Sequence, residues 1–520
     1  AMLGGTNGLT GTYTAVAEGT STVTIDLSWP NYDAWGVTGD VLTYNTSQSK
    51  FDIIVQQVVT LIGFNVAVTN AVAGQTGTIT LTPQPTGATF DPTAIGVTIS
   101  NGYTGDWGAL LTVTKNTITT EKLEWTYSSP IPCMVTVTAE QTEPTGGTTT
   151  IRLNDPTSDE AYSFTGFEIG YPLSLSSGWQ WRSNPCGAVT AANYASIYGT
   201  TDLTEIRTSD KLLYNDPSWG FYGTLNNAAG ILQGQCYKLN MKNARESVLY
   251  GSSATDASLV DGTPGDAGEI TIALNPGWNW VGSPYLFNRK LSTIFSTALN
   301  GKEGIVIVGK TRSAELTTGG NWDGDLTALM TGEGYIIKNP YMETIRVTFV
   351  AESTLTPSNE VEAGVKGIGA RGGIWQYDHS RFMNNMTMVA TLEDVADPER
   401  YSIGAFVGEE CRGEGVAVNG KVFITVHCDN GEYVTFKLYD TYTGEIRDIQ
   451  EGLRTQVRVG STKAPFRLHP TGTTDGVDGI NATTSESESY DLTGRRAAEQ
   501  QRGIQIRRMT DGSLRKVIVK

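Results

Sequence analysis

The chain has 520 residues, a length that predicts roughly three to five domains. Its 54 acidic residues outnumber its 37 basic ones and give a net charge of −17, which disfavours nucleic acid and anionic membranes as partners because both bind clustered Lys and Arg. No apolar run reaches the roughly 18 residues of a membrane-spanning helix. Sixty glycines, with many Thr and Val residues, predict all-β modules joined by tight turns.

The start of the chain and its cysteines bear on where the protein works. Ala1-Met2-Leu3 lacks the basic and apolar regions of a signal peptide, so we expect a mature form or a fragment of a longer secreted protein. Five cysteines without a C-x-x-C pair are too few for a disulfide-built scaffold, and their odd number leaves at least one thiol unpaired.

Residues 1–125 predict a Thr- and Gly-rich β domain, with strands in β-branched or alternating segments such as 21–27. At 51–68 the apolar residues follow a helical spacing up to Gly63, so we expect one short helix there. Residues 126–171 hold further strands and form either the end of this domain or a β connector.

Three aromatic residues lie close together in a predicted loop of this domain: Trp29, Tyr32 and Trp35. Sugar rings stack on flat aromatic faces, so the group is a candidate ligand platform for a glycan. The alternative is that these rings cap the end of the domain's core.

An internal repeat begins near residue 172. The sequence G-W-Q-W at 178–181 recurs as G-W-N-W at 277–280. Later in each copy Trp219 matches Trp322. The repeat predicts two β-modules with a loop between them and a linker after them: module 1 at 172–243, the loop at 244–268, module 2 at 269–345 and the linker at 346–369.

The two tryptophans of each motif fall on one face of a strand because side chains alternate with a period of two. Each ring buries about 200 Å², and repetition of the pair favours a packing scheme shared by both modules. We therefore expect Trp181 and Trp280 to be buried at matching positions. The alternative is an exposed platform for sugar rings.

Cys186 and Cys236 occur together in module 1, whereas module 2 has Tyr285 and Gly334 at the aligned positions. Two cysteines that form a disulfide are expected to be present together or absent together, and export to an oxidising setting permits the bond. The pattern therefore predicts a disulfide between these two cysteines. The alternative is two small apolar side chains in a core.

Residues typical of catalysis are sparse. The three histidines are far apart in the sequence, and no zinc motif, nucleophile elbow or phosphate-binding loop occurs. Two clusters have the oxygen-rich composition of a calcium loop: Asn321, Asp323 and Asp325, and Asp261, Asp266 and Glu269. A turn is the alternative for the first cluster, since Gly332 stands where an EF-hand needs Glu. We expect no enzyme, and calcium is the only candidate cofactor.

Residues 370–470 predict a β-sandwich of about seven strands, because polar and apolar residues alternate cleanly between regularly spaced turns. A Ser- and Gly-rich stretch at 471–489 predicts a flexible linker. The tail at 490–520 follows, with short apolar segments that predict strands around a Gly-Arg-Arg turn.

The tail reads Y-D-L-T-G-R-R at 490–496, then G-I-Q-I at 503–506 and K-V-I-V-K at 516–520. It resembles the type IX-like C-terminal sorting tails of secreted and surface proteins of Bacteroidota. The residues that carry the match in its first segment are Tyr490, Asp491, Leu492, Gly494 and Arg495. The G-W-x-W repeats resemble β-modules that often precede such tails. The resemblance implies secretion or outer-surface display through outer-membrane secretion machinery.

These observations predict an all-β, multidomain protein of tandem β-sandwich-like modules. The function we expect is non-enzymatic: adhesion, or capture of an extracellular glycan or host protein, without nucleic acid or a transmembrane segment. Two alternatives stay open, an accessory C-terminal region of a larger secreted hydrolase and a structural stalk or appendage subunit.

Overall fold

A computed structural model describes residues 19–30, 44–55, 61–88, 90–116, 118–142, 147–153, 166–227, 229–251, 270–361, 374–471, 486–491, 503–509 and 514–519. The predicted all-β, multidomain fold is confirmed, since short sheets follow one another along the chain. In the part described, no helix is long and apolar enough to cross a membrane.

The N-terminal region contains one two-stranded and one eight-stranded sheet. The first pairs β1 (Gly19–Pro30) with β2 (Tyr44–Val55). The second sheet, with one helix, comprises β3 (Gly63–Val68), β4 (Thr76–Gln84), β5 (Ile95–Ser100), α1 (Gly105–Gly108), β6 (Thr112–Lys115), β7 (Leu123–Ser128), β8 (Cys133–Thr142), β9 (Thr148–Leu153) and β10 (Phe167–Ile169). Strands on both sides of residue 126 therefore share one sheet and one core.

The helix predicted over 51–68 is wrong at residues 51–55, which complete β2. Residues 63–68 form β3, which begins at Gly63, where the helical spacing ends. The segment is rich in Ile and Val, which favour strands, and both strands find antiparallel partners in β1 and β4. The short helix of this region is α1 instead, where Trp107 packs with Ile131 and Phe287.

The two G-W-x-W copies fold into modules of the same topology. Module 1 comprises β11 (Tyr171–Leu175), β12 (Gly178–Arg182), α2 (Tyr194–Tyr198), β13 (Leu203–Arg207), β14 (Leu212–Asp216), β15 (Gly220–Tyr222), β16 (Tyr237–Met241) and β17 (Arg245–Leu249). Its five-stranded sheet has the order β12-β16-β13-β14-β15, and β11 pairs with β17 in a second sheet.

Module 2 comprises β18 (Ile270–Leu274), β19 (Gly277–Gly282), β20 (Arg289–Lys290), α3 (Leu291–Ile294), β21 (Val306–Val308), β22 (Ser313–Leu316), β23 (Trp322–Gly324), β24 (Ala328–Leu329), β25 (Gly334–Asn339) and β26 (Ile345–Phe349). Its sheet order, β19-β25-β21-β22-β23, repeats that of module 1, and β18 pairs with β26 as β11 does with β17. A small extra sheet pairs β20 with β24.

Each module extends one strand beyond its predicted end. Strand β17 lies within the segment predicted as a loop, and β26 lies mostly within the predicted linker. Both were missed because a five-residue edge strand carries little periodic signal. Each closes its module by pairing with the first strand, so the repeat unit is longer than the sequence comparison indicated.

The modules are joined by a reciprocal pair of backbone hydrogen bonds. The Gly282 amide donates to the Gly234 carbonyl at 2.8 Å, and the Ser183 amide donates to the Gly332 carbonyl at 3.0 Å. Ser183 aligns with Gly282, and Gly234 aligns with Gly332. The same contact is therefore made twice, as a local two-fold axis requires.

After module 2 the chain forms a single eight-stranded sheet around one core. Its strands are β27 (Asn385–Leu392), β28 (Tyr401–Val407), β29 (Glu410–Val418), β30 (Lys421–His427), β31 (Tyr433–Asp440), β32 (Ile446–Arg454), β33 (Arg458–Val459) and β34 (Phe466–Leu468). A bridge between Ile449 and Pro470 connects β32 to the chain after β34, so the sheet folds back on itself. We call residues 374–471 the β-sandwich domain.

A buried ion pair attaches module 2 to the β-sandwich domain. Arg458 donates to the carboxylate of Glu315 on β22, and both side chains are buried. Thr462 also donates to this carboxylate, through its amide and its hydroxyl. The three strands predicted for the tail are present as a separate sheet: β35 (Glu486–Asp491), β36 (Gly503–Met509) and β37 (Leu514–Val519).

Candidate functional site

The register of the G-W-x-W strands decides where the indoles point. Directly paired residues of neighbouring strands share a face of the sheet. In module 1, Gln180 pairs with Leu239 of the core, whereas Trp181 pairs with Lys238. In module 2, Trp280 pairs with Ile336, which also lies outside the main core. The indoles of each motif share a face as predicted, but it is the face opposite the module core.

The residue between the tryptophans has a structural task in both modules. The Asn279 amide donates to the Asn275 carbonyl at 2.8 Å, and Gln180 donates in the same way to the Ser176 carbonyl. Each side chain thus ties the motif strand to the turn before it. This explains why the variable position of the motif holds an amide in both copies.

The exposed face of the motif strands forms a cleft against the β-sandwich domain. Its volume is about 250 Å³. We call it the indole cleft; its lining residues are Trp181, Lys238, Trp278, Trp280, Ile336, Asn384, Asn385, Cys428, Asn430, Thr455, Gln456 and Val457. Indoles, side-chain amides and one lysine dominate this lining, and no Asp or Glu occurs among these residues.

Burial within the indole cleft differs between the matched tryptophans. Trp181 is 3 % exposed, whereas Trp278 and Trp280 are half-buried and pack against Val306, Val308 and Ile336. The prediction of matching positions is confirmed. The prediction of burial is confirmed for Trp181 but wrong for Trp280, which is half-buried. Neither ring lies in its module core, because pairing with β16 and β25 places both on the opposite face.

Lys238 occupies the floor of the indole cleft. Its Nζ lies 3.9 Å from the ring centroid of Trp181 and 4.6 Å from that of Trp280, positions suited to cation–π attraction. Nζ also donates to Asn384 Oδ1 at 3.0 Å. Burial lowers the pKa of this lysine to about 8, so it remains mostly protonated at neutral pH.

The start of β27 and the residues before it close one side of the cleft. Trp181 Nε1 donates to the Met383 carbonyl at 2.8 Å. Asn385 Nδ2 donates to the carbonyls of Gly309 and Lys310 at 2.9 and 2.8 Å. The β-sandwich domain is thereby held against both modules, and the cleft is built from three parts of the chain.

The other candidate sites are placed as follows. Trp29 lies in β1, and its side chain is not described; Tyr32 and Trp35 lie outside the described residues, as do Asp261, Asp266 and Glu269. In the tail, Tyr490 and Asp491 end β35, and Leu492, Gly494 and Arg495 lie outside the described residues. The aromatic platform, the second acidic cluster and the sorting signal therefore stay predictions.

The candidate calcium residues have other partners. The Asp323 carboxylate accepts from Lys421 Nζ at 2.9 Å and from Asn419. The Ser313 amide donates to the Asp325 carboxylate at 2.8 Å. Burial raises the pKa of Asp325 to about 7. Across the described residues, no three His, Cys, Asp or Glu side chains are grouped to hold a metal ion.

The disulfide predicted between Cys186 and Cys236 is not formed in the structure, where both are free, buried thiols. Cys186 lies in the core of module 1, with Sγ 3.9 Å from the Leu249 carbonyl. Cys236 lies at the contact between modules. A Cβ on Gly334 would come within 2.6 Å of Cys236 Sγ. Module 2 therefore has glycine at the position aligned with Cys236 because the two aligned residues pack against each other where the modules meet.

The proposed match of Trp219 with Trp322 is also wrong. Trp219 is 85 % exposed. The structural counterpart of Trp322 is Phe221: Trp322 packs on Phe295 after α3, and Phe221 packs on Tyr194 of α2.

Sequence reasoning missed the polar half of the cleft, namely Lys238, Asn384, Asn385, Asn430 and Gln456. Lys238 lies one residue after the aligned Cys236-Tyr237 pair, but its orientation follows only from the register with Trp181. The amides belong to a different domain and meet the indoles only in three dimensions. The Asn384-Asn385 pair before a strand was the one available signal.

No protein-family model and no curated protein sequence matches the chain. Among solved structures, domains 4–9 of the surface layer protein SbsC are 10 % identical, with 86 % of this chain and 73 % of that chain covered and a TM-score of 0.15. The Bacillus anthracis TIE protein is 9 % identical, with 78 % and 74 % covered and a TM-score of 0.13. These TM-scores carry no inference about this chain.

Proposed function

We propose that this protein is a non-enzymatic, secreted or cell-surface protein that captures an extracellular glycan in the indole cleft. The observation that carries the proposal is the lining: three indoles and four side-chain amides around one open cleft. Aromatic faces pack on the C–H faces of sugar rings, and amides donate to and accept from hydroxyls. The few fixed polar groups orient a ligand that the rings hold.

The chemistry of the lining supports binding rather than catalysis. Glycoside hydrolysis uses a pair of carboxyl groups in most families, and the cleft's lining contains no Asp or Glu. Its one thiol, Cys428, is a poor nucleophile because burial raises its pKa to about 11. Secretion is supported by the sequence of the tail.

The test is a glycan array probed with the full chain and two tryptophan variants. Trp278→Ala removes a half-buried indole from the cleft, and we expect it to weaken glycan binding by more than about tenfold. Trp219→Ala is the matched control, since this exposed indole lies outside the cleft. Thermal unfolding of both variants verifies that they are folded.

Two results would contradict the proposal. One is that the wild-type chain binds no glycan on the array. The other is that Trp219→Ala abolishes binding while Trp278→Ala leaves it intact, which would move the site to the exposed loop before β15.

A further inference from the structure

The floor of the indole cleft combines a buried cation with an unused acceptor. Lys238 is 3 % exposed, and in the described part of the chain it forms no ion pair with a carboxylate. One of its three N–H groups goes to Asn384 Oδ1. Buried charges are normally paired, because an isolated one is costly to desolvate.

Part of that cost is offset by the two indole faces that contact Nζ. Cation–π attraction to the indole faces leaves two of the three N–H groups of Lys238 without an oxygen acceptor among the described residues. A second lysine, Lys310, is near enough that the Lys238 charge lowers its pKa, after burial as the main cause. The floor therefore carries positive potential in a protein whose net charge is −17.

Asn385 supplies the second, independent observation. Its side chain is 8 % exposed and lines the cleft. Both protons of Nδ2 are used by the carbonyls of Gly309 and Lys310, which fixes the orientation of the amide. Its Oδ1 is then a buried acceptor without a partner among the residues that the structure describes. A buried acceptor is normally matched by a donor, which a ligand hydroxyl can supply here.

We infer that the glycan bound in the indole cleft is acidic, with a sugar carboxylate on Lys238 and a sugar hydroxyl donating to Asn385 Oδ1. This inference rests on the proposed function and adds the class of ligand. A carboxylate completes the ion pair that Lys238 lacks, and the absence of Asp and Glu from the lining leaves no repulsion against it. The half-buried indoles of Trp278 and Trp280 pack on the apolar face of the same ring.

The experiment compares ligands that differ only in the carboxylate. Isothermal titration calorimetry of the full chain uses two pairs, a galacturonic acid oligomer with its methyl ester and sialyllactose with its methyl ester. We expect the acidic member of at least one pair to bind about tenfold to a hundredfold more tightly, the range for a charge-assisted hydrogen bond.

Three variants test whether Lys238 causes the preference for the acidic ligand. Lys238→Met keeps the apolar stem and should abolish the preference for the acid. Lys238→Arg keeps the charge and should retain a preference. Lys242→Met is the matched control, an exposed lysine of the same module with the same change in net charge. Near-ultraviolet circular dichroism verifies that each variant is folded.

The outcomes separate the two proposals. Equal binding of acid and ester, lost in Trp278→Ala, would overturn the acidic ligand and leave the glycan-binding function standing. A folded Lys238→Met variant that still prefers the acid would also overturn it. Failure of the wild-type chain to bind any of the four probes and any arrayed glycan would overturn both.

Discussion

The imidazole of His427 is 1 % exposed, and neither ring nitrogen has a hydrogen-bond partner among the described residues. It stacks on Tyr377, with ring centroids 5.6 Å apart, and the ring of His379 lies at the same distance. Burial, followed by the charges of Lys310 and His379, lowers the pKa of His427. The residue therefore stays neutral in the folded protein to a lower pH than it does in the unfolded chain.

This histidine makes the β-sandwich domain sensitive to acid. Below the unfolded pKa of about 6.5 the unfolded chain takes up a proton that the folded protein does not, so stability is lost as the pH falls. For one such group the loss between pH 7.5 and pH 5.5 is at most about 1.4 kcal/mol, the value reached when the folded protein takes up no proton in that range. The free energy of unfolding of His427→Phe should not show this part of the decrease between the two pH values.

The measurement is urea unfolding of wild type and variant at both pH values, followed at the amides of β27 and β30 by hydrogen exchange. Comparison of the two proteins removes the contributions of Asp325 and other groups that titrate in the same range. An identical pH dependence in wild type and His427→Phe would contradict the assignment.

Lys238 illustrates which residue properties a sequence conceals. Its neighbours along the chain, Cys236 and Tyr237, were identified from the repeat, and Tyr237 is buried as such alignments predict. The lysine itself looked like an ordinary strand residue. Its role depends on the pairing of β12 with β16 and on contact with Asn384, which are long-range facts that local periodicity does not contain.

At the scale of elements, alternation along the G-W-x-W strands correctly placed both tryptophans of a motif on one face. It did not reveal which face meets the core, because the polar Gln180 lies on the core face opposite Leu239, a placement set by the partner strand β16. Here one face packs on the module core and the other on the cleft. The helix at 51–68 failed for a related reason, since short apolar runs fit both helical and strand periods.

Contact between the two modules leads to a prediction at Gly334. An added Cβ would lie 2.6 Å from Cys236 Sγ and from the Arg182 carbonyl, so Gly334→Ala should destabilise the repeat by about 1–3 kcal/mol through overpacking. Gly96→Ala is the matched control in β5, where the nearest atom is 3.8 Å away. Scanning calorimetry should show a lower melting temperature only for Gly334→Ala; equal shifts would argue against close packing of the modules.

At the scale of the molecule, composition was sufficient for the fold class. Glycine-rich turns and β-branched runs are local features, and they correctly predicted tandem β-modules. The assembly of modules was not predictable, since it depends on single long-range contacts. Examples are the Arg458–Glu315 pair and the hydrogen bond from Trp107 Nε1 to the Leu355 carbonyl at 2.9 Å. The indole cleft was likewise not predictable, because its lining residues meet only through such long-range contacts.

The tail behaves as a separate unit of the molecule. Its strands β35, β36 and β37 form a sheet that no other strand of the described residues joins. Deletion of residues 486–520 should therefore leave the melting temperature of the upstream domains unchanged.

If the resemblance to sorting tails is correct, the truncated protein should stay inside the cell envelope of its native host. The tail fused to an unrelated β-domain should carry that domain to the surface. Labelling of intact cells measures both. Normal surface display of the truncated chain would show that the strands serve another purpose, and loss of melting of the upstream domains would show that the tail stabilises them.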